Sequence, residues 1–283
     1  MTALKEKCKS YQAIRDYKLD TDKYIIAHVD GRSFSKAIKN KFEKPFDKDF
    51  IKMMDETAKY LCEKVQGCQL AYVQSDEITL VLKKLRPESD IFFGGRMCKM
   101  QSIIASMATG KFNQLITLYN IKSNAYDYTK IDYLNTLYSP KDVVGMIKDS
   151  PIYEFDCKVW DVNDGNDAFA WLLFRNIDCV RNSKSQTAQT YIPHKDLLGK
   201  TADEAVEMLK EKNGIDWNAL PDEMKYGRII RKEDIEMGDA DVTFVRKKWV
   251  VTTGIDLTNS ENRIKFIENN NFLKTIEKNE EFV

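Results

Sequence analysis

Two aspartates carry the first chemical signal. Asp30 closes the apolar run Tyr24-Ile25-Ile26-Ala27-His28-Val29. Asp76 sits in the polar break Ser75-Asp76-Glu77, between Leu70-Ala71-Tyr72-Val73-Gln74 and Ile78-Thr79-Leu80-Val81-Leu82. A short, continuous apolar run is the mark of a strand buried on both faces. Two β-rich arms around a short acidic turn read as a hairpin. If an intervening helix returns the chain so that this hairpin pairs beside the first strand, the two carboxylates share one edge of the sheet. Acidic groups at adjacent strand ends suit hard divalent cations. Two such ions, about 3.5–4 Å apart, align a hydroxyl nucleophile with a phosphoryl leaving group. Taken singly, Asp30-Gly31 and Asp76-Glu77 are ordinary turn residues; it is their combination with this topology that points to chemistry.

Other residues could support such a site. Gly31-Arg32-Ser33-Phe34-Ser35-Lys36 follows the first acid. Glycine permits a tight turn, and successive N–H groups in such a turn can cradle phosphate oxygens; a plain strand-to-loop turn fits equally. Arg96 and Lys99 are three apart, so a helix puts them on one face, suited to a triphosphate or simply to solvent. Arg181-Asn182-Ser183-Lys184-Ser185-Gln186 is polar and basic after an apolar helix, and fits an RNA backbone or a capped helix start. Arg228, Arg231, Lys232, Arg246, Lys247 and Lys248 suggest a second basic face. His28 and His194 read as structural or surface histidines. Met53-Met54 and the aromatic stripe Phe169, Trp171 and Phe174 read as core.

Several elements must position these groups. Phe50, Met54, Thr57, Leu61 and Val65 recur at helical spacing between Asp47 and Val65. A second helix is expected over about 92–112, with Met100, Ile103, Ile104, Met107 and Ala108 inward, and another strand over 152–162. The order β, α, β-β, α, β is the split βαβ, ferredoxin-like arrangement, with helices over one face of an antiparallel sheet. Segment 113–150 reads as an insertion. Residues 169–179 are apolar and aromatic, Thr201-Ala202-Asp203-Glu204 is a capping box, and 242–253 reads as a strand interrupted by Arg246-Lys247-Lys248. The tail from about 259 is weakly helical. The fold class is therefore α+β. The ferredoxin-like part spans 1–163, and 164–283 forms a helical and β-strand extension that is not an independent domain.

Composition sets outer bounds. The 283 residues contain 44 Lys and Arg against 44 Asp and Glu, which excludes a globally basic nucleic-acid binder but not a locally basic face. No apolar run approaches the ~18 residues of a membrane span, and Met1-Thr2-Ala3-Leu4-Lys5-Glu6-Lys7 lacks a signal-peptide core. Six cysteines without a Cys-x-x-Cys pair fit reduced thiols in a cytoplasmic compartment. Two histidines are too few for a His-rich metal centre, so carboxylates holding a hard ion are the expected alternative.

His28-Val29-Asp30-Gly31-Arg32-Ser33-Phe34, Lys41-Phe42-Glu43-Lys44-Pro45-Phe46-Asp47 and Gln74-Ser75-Asp76-Glu77, in that order, resemble the tRNA(His) guanylyltransferase superfamily. The likeness continues through Phe93-Gly94-Gly95-Arg96, Tyr153-Glu154-Phe155-Asp156, Trp171 to Asp178, His194-Lys195-Asp196-Leu197-Leu198-Gly199-Lys200 and Asn213-Gly214-Ile215-Asp216-Trp217. Eukaryotic members that add a guanine to tRNA(His) carry His-Ile-Asn-Asn where this chain reads Val180-Arg181-Asn182-Ser183. The run 181–189 looks instead like the bacterial, archaeal and phage-type "like proteins", implied to be template-dependent 3′-to-5′ polymerases that repair 5′-truncated tRNA.

The resemblance implies a polymerase-type palm. In it Asp30 and Asp76, with the Gly31 carbonyl, hold two Mg²⁺ ions, and Glu77 assists or orients the turn. Gly31, Arg32, Ser33, Phe34 and Ser35 bind a triphosphate; Lys44, Asp47, Ser75, Arg96 and Lys99 contact ATP, GTP or an activated 5′ end. Arg181, Asn182 and Lys184 lie nearer the RNA, and Asp156 is structural. It also implies tRNA as partner and a homotetramer. Addition of a single G to tRNA(His), a palm-type nucleotidyl cyclase and a non-catalytic RNA-binding protein are the alternatives.

Overall fold

In a computed structural model, residues 2–11, 13, 17–38, 41–126, 151–239 and 242–273 are described. In chain order these contain α1 (Thr2–Ser10), β1 (Tyr24–Gly31), α2 (Phe34–Ala37), α3 (Lys48–Lys64), β2 (Cys68–Gln74), β3 (Glu77–Leu82) and α4 (Met97–Tyr126). Then come β4 (Phe155–Val162), α5 (Gly165–Tyr191), α6 (His194–Leu197), α7 (Ala202–Asn213), α8 (Asp222–Lys225), β5 (Arg228–Asp239), β6 (Val242–Thr253) and α9 (Ser260–Glu268).

All six strands pair antiparallel in the order β4-β1-β3-β2-β5-β6. The first four reproduce the ferredoxin-like order expected from the sequence. Alternation sorts their side chains into two cores. Ile25, Ala27, Val29, Ala71, Val73, Ile78, Leu80 and Leu82 meet α3 and α4 on one face. Tyr24, Ile26, Leu70, Tyr72 and Val81 meet Ala168, Phe169 and Leu172 of α5 and Phe266 of α9 on the other. Burial on both sides is why these strands read as continuous apolar runs. The sheet passes straight through the boundary suggested at 163, because β5 pairs with β2.

Local signals explain the helix ends. Asp47 caps α3, its Oδ1 accepting from the N–H groups of Asp49 and Phe50, both at 2.9 Å. Thr201 and Glu204 form the expected capping box on α7. Three readings need correction. The second helix begins later and ends later than 92–112. A 3₁₀ turn at Phe92–Gly95, with Phe93 at φ 50° and Gly94 at φ 58°, delays its start. Its buried stripe of Met100, Ile104, Ala108, Phe112 and Ile116 then runs on past 112. Residues 113–126 are thus helix rather than insertion, and 127–150 lie outside the described residues. The stretch 181–186 lies within α5, not after a helix. Arg228, Arg231 and Lys232 sit on strand β5, and Arg246-Lys247-Lys248 continue β6 without a break; an edge strand tolerates such charge. No helix among the described residues is long and apolar enough to cross a membrane.

Candidate active site

Strand register fixes where the acids stand. Asp30 is the Cα partner of Glu77 on β3 and of Asp156 on β4. Partners across a ladder point to the same side, so these three carboxylates project from the α5 side of the sheet. Asp76 occupies the β2–β3 turn, and its backbone carbonyl accepts from Gly31 N–H at 3.2 Å. That bond brings the end of β1 against the turn. A Cβ at position 31 would lie 2.8 Å from Asp76 Oδ2 and 2.5 Å from the Phe34 ring. Only glycine lets the Asp76 carboxylate lie this close to the backbone beside Asp30.

The charges at this corner differ in how they are met. Glu77 is clamped: its Oε2 accepts from Gln74 Nε2 at 2.7 Å and from Arg175 of α5, which also reaches Asp178 Oδ2 at 3.2 Å. Asp30 and Asp76 have no basic side chain within ion-pair distance among the described residues. Burial pushes the Asp76 carboxyl up to about 6, against a 2.9 Å hydrogen bond from Ser75 Oγ, and the charges of Asp30 and Glu77 add to the rise. Burial also raises Asp30, with help from Glu77 and Asp156. Two partly desolvated carboxylates without a counter-charge, with a backbone turn packed against one of them, form a donor set that fits a hard divalent cation. Among the described residues no three His, Cys, Asp or Glu side chains gather as a fuller metal cluster. His28, below the acids on β1, is held by Thr79 Oγ1 at 3.0 Å, and burial and Arg175 push it down to about 4; it is a satisfied core residue.

Beside Gly31 and Asp76 opens a cavity of about 540 Å³, a size that takes a nucleotide. Its walls come from the 31–47 loop, the start of α3, the Gln74–Asp76 turn, α5 and residues 223–228. Ser33 (φ 56°) and Ser75 (φ 45°) face it from left-handed backbone conformations, which cost non-glycine residues energy and concentrate at functional sites. The cradle is narrower than the sequence suggests. The N–H of Gly31 is used by Asp76 and that of Arg32 by the Glu154 carbonyl at 2.8 Å. Those of Ser33, Phe34 and Ser35 have no acceptor among the described residues. The Phe34 ring is buried against Phe112, Tyr153 and Phe155, which anchors the loop.

The other sequence-selected residues divide. Lys44, Asp47, Ser75 and Asn182 line the cavity. Arg32 turns away, pairing with Glu154 at 2.6 Å. Arg181 is exposed and pairs with Asp178, and Lys184 binds Asp203 at 2.5 Å over the Trp217 ring; only Asn182 of that trio meets the cavity. Arg96 and Lys99 are not brought to the acids within this chain. They follow β3, whose far end lies away from Asp76, and flank the start of α4 at Met97, fifteen residues before Phe112, a rise of about 22 Å. There Arg96 bonds the Phe93 carbonyl at 3.3 Å and Lys99 lies over the Phe93 ring. Gln186, named in the basic run 181–186, joins Asn182, Gln189 and Thr190 in a polar stripe at helical spacing on the cavity side of α5, and Arg228, expected on a basic face, is instead buried on β5 and lines the cavity.

A palm-type sheet with two uncompensated carboxylates at its strand ends and a nucleotide-sized cavity beside them defines a nucleotidyltransferase. A family model described as Thg1: tRNAHis guanylyltransferase matches residues 5–161, and the chain belongs to that family. A probable tRNA(His) guanylyltransferase of Dictyostelium discoideum is 25% identical over 249 residues, 83% of this chain and 85% of the relative. An uncharacterized protein of Acanthamoeba polyphaga mimivirus is 27% identical over 277 residues, 93% of this chain and 88% of the relative. Among solved structures, a bacterial tRNA(His) guanylyltransferase (Thg1)-like protein in complex with ATP superposes with a TM-score of 0.75 at 26% identity, covering 95% of this chain and 99% of that one. The resemblance read from the sequence and the palm fold both stand.

Proposed function

We propose that this enzyme extends the 5′ end of tRNA in the 3′-to-5′ direction under the direction of the opposite acceptor strand, repairing 5′-truncated molecules. The observation that carries the reading is the Asp30–Asp76 corner: two carboxylates raised by burial and without a basic partner among the described residues, with Asp76 and Gly31 lining the cavity. Asp30, Asp76 and the Gly31 carbonyl are the groups that would hold Mg²⁺. Bound there, Mg²⁺ supplies acidity to the attacking hydroxyl and stabilises the departing phosphate.

The chain's own residues do the rest. The free amides of Ser33, Phe34 and Ser35 offer donors to phosphate oxygens of the nucleotide, ATP or GTP. Asp76 and Asp30 orient the 3′-hydroxyl of the incoming nucleotide toward the activated 5′ phosphate, from which pyrophosphate or AMP departs. The polar stripe of α5 gives the RNA strand a hydrogen-bonding surface that reads no base. The like-protein branch is supported by the 181–189 run and by similarity to a bacterial Thg1-like protein. Addition of one G to tRNA(His) is the second reading, favoured by the names of the Dictyostelium relative and of the family model. A homotetramer, as the resemblance implies, belongs to this proposal, and so does a cytoplasmic location, which six free thiols suit.

Labelled nucleotides, Mg²⁺ and a panel of 5′-shortened tRNAs test it. Templated restoration of length across several tRNAs is expected, and Asp76→Asn should lower it by about 10³-fold, since several kcal/mol of transition-state stabilisation is lost. Incorporation confined to one G on tRNA(His) favours the second reading. Equal activity of wild type and Asp76→Asn ends both.

A further inference from the structure

Arg228 opens β5 one strand away from the acid turn, and its Cα partner is Val73, three residues before Asp76. Its side chain leaves the sheet on the α3 side, where Nε donates to Asp55 Oδ1 at 2.8 Å. The residue is 4% exposed, and Nη2 is buried with no acceptor among the described residues, yet Arg228 lines the cavity. A buried guanidinium N–H left without an acceptor is costly. The side chain has little freedom to escape that cost. Asp55 holds it, ladder pairing holds its strand, and Gly227 before it accepts from Gly254 N–H at 2.7 Å.

Position narrows what could meet Nη2. At about 3.3 Å per residue along a strand, Arg228 lies roughly 10 Å from the acid turn. A nucleotide whose phosphates lie near Asp76 and the Ser33–Ser35 amides reaches that distance with its base. Phe46, Ile51 and Met224 supply apolar wall in the same cavity. Resting on the proposed nucleotide site, we infer that Arg228 is a base-anchoring residue, with Nη2 donating to one ring-edge acceptor of the bound nucleobase. Every nucleobase carries at least one carbonyl or ring-nitrogen acceptor. A lone donor therefore holds any of the four without choosing among them, which suits an enzyme whose choice comes from base pairing.

The test compares affinities for ATP, GTP, CTP and UTP with affinity for inorganic tripolyphosphate, all with Mg²⁺, by calorimetry. Two variants are used. Arg228→Met with Asp55→Leu removes the buried pair together, a change that is often neutral for folding. Arg228→Lys keeps a charge opposite Asp55 but its shorter head stays with that carboxylate. Both should bind all four nucleotides about tenfold more weakly and bind tripolyphosphate within twofold of wild type. Unchanged nucleotide affinity overturns the inference. So does an equal loss for tripolyphosphate, which would make Arg228 a phosphate ligand or a structural support. If wild type binds no nucleotide at all, the nucleotide site itself fails and takes this inference with it, a result distinct from the other two.

Discussion

Glu77 and Asp55 each face a guanidinium, while Asp30, the ladder partner of Glu77, and Asp76, its chain neighbour, face none among the described residues. Glu77, Asp30 and Asp76 lie at one end of the sheet, and Asp55 faces that sheet from α3. The paired acids join layers: Glu77–Arg175 ties β3 to α5, and Asp55–Arg228 ties α3 to β5. The unpaired acids join nothing. They sit where β1 and the β2–β3 turn stop, and burial raises both. The fold neutralises the carboxylates it uses for assembly and leaves without a counter-charge, at a cost in stability, the two at the corner where Gly31 and Asp76 meet the cavity. Such a division is expected where an added cation completes the site.

The comparison breaks most visibly at Arg175. Arg175→Met strands Glu77 in a partly buried pocket with only Gln74 as donor. Removing one partner of a buried pair costs about 3–5 kcal/mol. Denaturant unfolding should show a loss of that order, and adding Glu77→Gln should return much of it. If the double variant is no more stable than Arg175→Met, the clamp is not what holds β3 to α5.

The unpaired acids give the opposite sign. Asp76 has a folded pKa of about 6 against a reference of 3.8. A raised carboxylate binds its proton more tightly in the folded state, so its penalty is present above about pH 6. It is relieved as pH falls through 6 toward 3.8. At 1.36 kcal/mol per pKa unit this reaches at most about 3 kcal/mol. Metal-free Asp76→Asn should therefore be more stable than wild type at pH 7.5, with the gap closing by pH 4.5. Magnesium should stabilise wild type at pH 7.5 and leave Asp76→Asn nearly unmoved. A variant less stable than wild type at pH 7.5 would show that Asp76 carries a structural partner after all.

Asp47 sharpens the comparison, being an acid on the cavity wall with a structural duty. Its two oxygens accept from the N–H groups of Asp49, Phe50 and Glu43. Asp47→Ala should cost about 1 kcal/mol through the lost cap, read as a lower denaturation midpoint with unchanged slope. Asp47→Ser should recover most of it.

Much of this was legible in the sequence because it rests on short-range rules. The apolar runs of β1, β2 and β3 and the acidic turn announced the hairpin and the edge on which Asp30 and Asp76 meet. The Thr201 capping box needed only four residues. What stayed hidden depended on distant pairing. β5 does not read as a buried strand because its charged residues Lys232, Glu233, Asp234 and Glu236 extend beyond β2, and nothing local shows that Arg228 enters a buried ion pair with Asp55, 173 positions away. The polar run 181–186 looked like a helix end because Ser183 and Thr187 are buried polar residues, satisfied by Trp217 Nε1 and by the Ser183 carbonyl. The role of Arg96 and Lys99 failed to transfer within one chain because spacing shows a shared helix face but not which end of the sheet that face stands on.

The smallest expected effect tests that last point. Arg96 and Lys99 stand at the far end of the sheet, about 22 Å of helix from the Phe112 level that packs beneath Phe34. At that range, in 0.15 M salt with a Debye length of about 8 Å, their charges are screened from a triphosphate at Asp76. Arg96→Ala with Lys99→Ala should leave ATP and GTP affinity within twofold of wild type while nucleotide addition to RNA is measured in parallel. A tenfold loss of nucleotide affinity would mean that these cations reach the acids of another copy of the chain, so that the corner left unpaired here is completed across an interface. Dilution separates the two cases: a site built within one chain keeps its affinity as protein concentration falls, and a shared one loses it.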